Sequence, residues 1–156
     1  MRRIRLSFVW LGAIVFLASC APTITVVNNT TFPVRVVVVA GGTRQVLSPS
    51  PNGESSSAEV TEGRYIVTAI PDAEWIEYAK LTRKVLNEEL ANADNLSGPR
   101  LLEVIRRLKD IAARMQQFEQ AAGTNASCAG NLAEGSSSVL AQVNVGANGR
   151  LVIACR

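Results

Sequence analysis

A chain of 156 residues without a single histidine lacks the commonest general base and the usual metal ligand. Its formal charge of +3 comes from the first five residues: beyond Arg2, Arg3 and Arg5, the remaining 13 Lys and Arg meet 13 Asp and Glu, the first of which is Glu54. A neutral body with no basic run gives no electrostatic reason to bind nucleic acid, and none for polybasic attachment to anionic lipid.

The N-terminal segment has three parts. A basic start (Arg2, Arg3, Arg5) precedes an apolar stretch from Leu6 to Leu17, and Ala18 and Ser19 lead into Cys20. This is the layout of a secretory signal peptide, and the apolar stretch is shorter than the roughly 20 residues that a spanning helix needs. Leu17-Ala18-Ser19-Cys20 resembles the lipobox of bacterial membrane lipoproteins. The resemblance implies that residues 1–19 are a cleaved signal peptide and that Cys20 becomes the first residue, its thiol joined to diacylglycerol and its amine open to acylation, as by palmitate. Two or three acyl chains hold a protein on a bilayer far more firmly than one, since each buried methylene contributes about 0.8 kcal/mol. The implied location is the outer face of the cell membrane, or the outer membrane of an organism that has one.

Residues 20–156 then suffice for a single domain with a core of its own. Phe8, Trp10 and Phe16 leave with the signal, and the aromatics that remain (Phe32, Tyr65, Trp75, Tyr78, Phe118) are too sparse for a platform that stacks bases. In an exported chain Cys128 and Cys155 form an even pair, so a disulfide is expected. A zinc site or a reactive thiol is the alternative, though two thiols with no histidine make a poor zinc site.

Residues 21–70 read as strands. Ile24 and Val26 belong to a first strand that ends at Asn28-Asn29. Phe32, Val34, Val36, Val38 and Ala40 alternate along a second strand, whose other face carries Arg35, Val37 and Val39, so burial on both faces is expected. Gly41-Gly42 marks a tight hairpin returning through Thr43–Leu47. Ser48–Ser57 reads as a loop with a turn at Asn52-Gly53, followed by a short strand at Ala58–Val60 and a clear one at Arg64–Ile70. Gly63-Arg64-Tyr65-Ile66-Val67 resembles the G-x-Y-x-V strand of small extracellular β modules, without assigning a family.

At Pro71 the period changes. Asp72 is a candidate N-cap for a helix over 73–93, with Trp75, Tyr78/Ala79, Thr82, Val85/Leu86 and Leu90 recurring at helical steps. Ser97 and Pro99 open a second helix whose seam runs through Leu101, Val104/Ile105, Leu108, Ile111/Ala112, Met115, Phe118 and Ala122 until Gly123. Residues 124–138, including Cys128, read as a loop. Val139–Val145 and Arg150–Cys155 read as strands around an Asn148-Gly149 turn.

The expected architecture is α+β, mainly β: a small immunoglobulin-like or transthyretin-like β-sandwich of six or seven strands, with an α-helical hairpin inserted at about 72–122. No catalytic residues are assigned. Serines at 55–57 and 136–138 have no partner base, and Glu74/Glu77 and Glu88/Glu89 sit among cations on helix faces. No metal site, cofactor motif or phosphate-binding loop is present in the sequence. The N-x-S/T triplets at Asn28, Asn29, Asn95 and Asn125 read as turns and caps. The expected function is non-enzymatic: a lipid-anchored binding or assembly module with an envelope protein as partner, or alternatively a carrier of a small apolar ligand held between helices and sheet.

Overall fold

The computed structural model describes residues 21–133 and 138–156. The signal segment and Cys20 lie outside the described residues. Among the described residues eight strands and two α-helices follow one another as β1 (Thr23–Asn28), β2 (Val34–Ala40), β3 (Thr43–Leu47), β4 (Glu54–Glu59), β5 (Gly63–Pro71), α1 (Ala73–Ala91), α2 (Gly98–Ala121), β6 (Ala126–Leu132), β7 (Ser138–Val145) and β8 (Leu151–Cys155), with a 3-10 turn at Ala93–Asn95 between the helices. The strands form two four-stranded sheets, in the orders β4-β1-β7-β8 and β3-β2-β5-β6. The result is the expected α+β sandwich carrying a helical hairpin.

Alternation explains the core. Ile24 and Val26 on β1, Val34, Val36 and Val38 on β2, and Val67 and Ala69 on β5 point between the sheets and are fully buried or nearly so. Ala141 and Val143 on β7 meet them from the other sheet. Gly41 and Gly42 both take positive φ (54° and 80°) in the β2–β3 turn, which suits the twist of a two-residue hairpin.

Two segments read wholly or mostly as loop are strands. Glu54–Glu59 pairs antiparallel with the whole of β1, and Ala126–Leu132 pairs antiparallel with β5. Their side chains are small or polar apart from Leu132, so neither has a hydrophobic period to read. Backbone pairing decides instead: β1 and β5 would otherwise present a row of open N–H and C=O groups. Of the expected strand at Ala58–Val60, Ala58 and Glu59 close β4 and Val60 lies just beyond it, its amide donating to the Pro22 carbonyl at 2.8 Å.

β1 also pairs in parallel with β7, so that Thr23 lies beside Ser138 and Asn28 beside Val143. This fixes the two ends of the sandwich. Thr23, Ala40 and Gly63 lie at one end, whereas Asn28, Val34 and Pro71 lie at the other, from which both helices leave.

The helix-bearing end is tied together by Asn28, which is completely buried. Its amide donates to the carbonyls of Phe32 and Pro49, both at 3.1 Å, and its oxygen accepts from the amide and hydroxyl of Thr30 at 3.0 and 2.8 Å. Its burial also removes it as a glycosylation acceptor. An Asn28→Ala variant should lose about 2 kcal/mol, because the Pro49 carbonyl and the Thr30 amide are left without partners in a dry place, whereas the Phe32 carbonyl keeps the Thr30 hydroxyl. Urea denaturation should show this as a lower midpoint with an unchanged slope.

Candidate functional site

No constellation among the described residues has the geometry of a catalytic centre. Ser57 shares a hydrogen bond with Thr25 at 2.9 Å on the outer side of the first sheet, far from any base. The paired glutamates are engaged one by one: Glu74 by Arg35, Glu77 by Lys80, Glu88 by Lys84 and Glu89 by Arg100. These are solvated ion pairs, each contributing little to stability. Arg106 donates two hydrogen bonds at 2.9 Å to Glu103, which holds that carboxyl below the ordinary range, and Glu89 raises Arg100 in the same way. No group of three His, Cys, Asp or Glu side chains comes together among the described residues.

The candidate surfaces lie on the hairpin and where it joins the sandwich. Asp72 caps α1, its carboxylate accepting from the Glu74 amide at 3.2 Å. Ser97 occupies the N-cap position of α2 through its carbonyl, which accepts from Leu101 at 2.9 Å, and its side chain makes no capping bond. The helices run antiparallel, with Arg100 beside Glu89 near the tip and Phe118 beside Trp75 at the base. Between them pack Ala79, Ile111 and Met115, with Leu86 and Val104 farther out.

The base is an aromatic joint. Phe118 meets Phe32 edge-on at 5.5 Å between centroids and lies 5.3 Å from Trp75. Arg114 stands over Trp75 at 5.5 Å, and its Nε donates to the Thr31 carbonyl at 2.7 Å. The seam of α2 therefore serves two partners: Val104 to Met115 face α1, whereas Phe118 and Ala121 join the core of the sandwich. Ala121 is buried in place of Ala122, which is exposed beside the turn at Gly123.

Beside this joint a crevice of about 390 Å³ opens between hairpin and second sheet, lined mainly by Ile70, Pro71, Ile76, Phe118, Ala122 and Thr124. Its size is within the range of small-molecule sites. It is a side opening; the joint itself is filled.

Two apolar surfaces depart from expectation. Tyr78 and Val85, read as part of a buried seam, are 66% and 54% exposed, and Leu81 between them is 61% exposed. Among the described residues α1 has one helix to pack on, and its second apolar stripe is left open. The i, i+3, i+7 spacing of 78, 81 and 85 marks Leu81 as part of this stripe. The other surface is the outer face of the second sheet. β2 is expected to be buried on both faces, but on this face Val39 and Val46 are exposed, as are Ile66 and Ile70 on β5, and Val37 is half-buried.

Cys128 and Cys155 form a disulfide with Cα atoms 6.0 Å apart, joining β6 to β8, the edge strands of opposite sheets. No helix among the described residues is long and apolar enough to cross a membrane. No protein-family model and no curated protein sequence matches this chain. A solved NMR structure of a protein from Eubacterium rectale is similar with a TM-score of 0.46 and 10% identity, over 87% of this chain and 88% of that one.

Proposed function

We propose that this protein is a lipid-anchored envelope protein that acts as a non-enzymatic binding or assembly module, with the hairpin as its partner-facing element. The observation that carries this reading is the polarity of β1. The strand begins at Thr23, three residues after Cys20, and the Pro22 carbonyl already accepts from the Val60 amide. An acylated Cys20 would hold that end of the sandwich against the bilayer. The hairpin leaves from the other end. β1 spans about 17 Å and a helix the length of α1 about 28 Å, so the tip would stand roughly 45 Å from the anchored end.

Cross-linked capture from membranes tests this. The native protein should retain an envelope protein that is lost when residues 72–122 are replaced by a short Gly/Ser turn and the sandwich stays folded. Equal capture by both forms would move the contact to the sandwich and overturn the role of the hairpin. The crevice beside Phe118 supports a second reading, the carrier of a small apolar ligand. Saturable binding of an apolar fluorescent probe, abolished by Ile76→Arg, would favour it.

A further inference from the structure

The two sheets carry opposite charge. The strands of the second sheet, β3-β2-β5-β6, hold Arg35, Arg44 and Arg64 and no Asp or Glu. The strands of the first sheet, β4-β1-β7-β8, hold Glu54 and Glu59 and no Lys or Arg. The three arginines all point outward, since each sits between inward-facing neighbours. Arg35, at the hairpin end, is matched by Asp72 and Glu74. Arg44 and Arg64 are exposed at the end where β1 starts, and neither has an ion-pair partner among the described residues. Register places them around an apolar centre. Arg44 lies opposite Val39, which lies opposite Ile66, and Arg64 follows two residues along β5 from Ile66, towards that end. The nearest acid along the chain from Arg64, Glu62, is in the turn before β5 and off this face.

We propose that the outer face of the second sheet rests on the leaflet that holds the anchor, with Arg44 and Arg64 on anionic lipid headgroups and Val39, Val46 and Ile66 in the interfacial layer. This deepens the anchor reading above and rests on it. The chain places the anchor beside this face. Pro22 is bonded to Val60, and Cys20 is two residues, at most about 7 Å, before Pro22. Thr61, next along, packs directly against the backbone of Gly41. The turn at Gly41-Gly42 then leads into Arg44, and the turn at Gly63 into Arg64. Acyl chains on Cys20 would therefore enter the bilayer close to the two unpaired arginines.

Chemistry favours lipid as the occupant. Apolar side chains flanked by basic ones are what an interfacial surface needs: the first enter the boundary of headgroup and acyl chain, and the second meet phosphate. Arginine suits the edge of such a contact, because its stem lies along apolar surface while its head stays at the headgroups. The neutral charge of the whole body conceals this, since its acids lie on the first sheet, the turns and the helices. Two cations alone hold a protein weakly. Once acyl chains supply the attachment, they need only choose which side faces down. Each should shift that choice about fivefold on an anionic leaflet. The molecule then lies along the membrane instead of standing on its end, which keeps the hairpin near partners in the same membrane.

The test uses the full chain purified from membranes and reconstituted on phosphatidylcholine vesicles with or without phosphatidylglycerol. Val39→Cys and Ile66→Cys carry an environment-sensitive fluorophore on the face. Leu140→Cys carries it on the outer side of the first sheet, near the same end, opposite Thr25. Cys128 and Cys155 are paired and stay unlabelled. Lipids with a nitroxide near the headgroup should quench the labels at 39 and 66 and spare the label at 140. Arg44→Gln with Arg64→Gln should lower the face-down ratio about 25-fold on anionic vesicles and leave it unchanged on neutral ones. Equal quenching at 39 and 140 reports an upright molecule and overturns the proposal. A label at 39 that is shielded but not quenched reports a protein cover, such as a second copy, and overturns it too. So does an arginine variant that behaves as the parent on anionic vesicles. The mass of the purified chain reads the anchor separately. An acylated chain quenched equally on both sides sinks the face alone. A chain without acyl groups sinks the anchor; quenching at 39 on added anionic vesicles then spares the face, and its absence sinks both.

Discussion

Phe118→Ala is expected to lower stability by about 4 kcal/mol, the usual cost of emptying an aromatic site in a packed core. For a domain of this size that is a fall of about 12 °C in Tm. The reason is position rather than bulk. Phe118 belongs at once to the sandwich core and to the joint with Phe32 and Trp75. Without it, the hairpin base keeps Arg114 on the Thr31 carbonyl and the Thr31–Gln117 hydrogen bond, both near solvent. The loss should therefore be uneven. Amides of α1 and α2 should exchange with solvent much faster, while those of β1 and β7 keep most of their protection. Trp75 is the sole tryptophan after Cys20, and its emission should move to longer wavelength as the joint admits water. Leu102→Ala, an exposed change on the same helix, should stay within about 0.5 kcal/mol of the parent. Uniform loss of protection across sheets and helices would show that the aromatic joint is not where hairpin and sandwich separate.

Removing the disulfide with Cys128→Ser and Cys155→Ser together should cost about 3–4 kcal/mol, the chain-entropy value for a closed loop of this length. The pair is separated by 27 residues. The bond also has a place in the sandwich. β6 and β8 are the outer strands of different sheets, so it closes one side of the molecule. On the other side, β3 and β4 are linked by the Gln45 amide donating to the Glu59 carbonyl at 2.6 Å. Melting with and without reductant measures the effect directly. A drop of roughly 10 °C in the reduced form is expected, and the serine variant should show no further drop with reductant. Identical midpoints for the parent in both conditions would mean that the paired edges hold without the bond.

The contrast between well-read and misread segments is physical. Phe32–Ala40 and Arg64–Ile70 alternate because one face of each borders a dry core, and that demand is written residue by residue. α1 and α2 are legible for the same reason with a different period, helped by Asp72 at one start and Pro99 at the other. Glu54–Ser57 and Ala126–Asn131 carry small or polar side chains on both faces. Their strand state comes from partners far along the chain, β1 and β5, which no local pattern names. Tyr78 and Val85 show the converse error. A helical apolar stripe reveals a face that could be buried, and it does not say how many neighbours are there to bury it.

By itself, then, the sequence determined the period and position of most elements, the pairing of its last two cysteines and the absence of histidine chemistry. These depend on neighbours in the chain or on residue types alone. Only the tertiary structure decided that β1 lies parallel to β7, that the start of β1 and the hairpin stand at opposite ends, and that the stripe of Tyr78, Leu81 and Val85 stays open. Those relations join residues distant in sequence. They follow from which surfaces close the core together, a property of the whole packed chain rather than of any window along it.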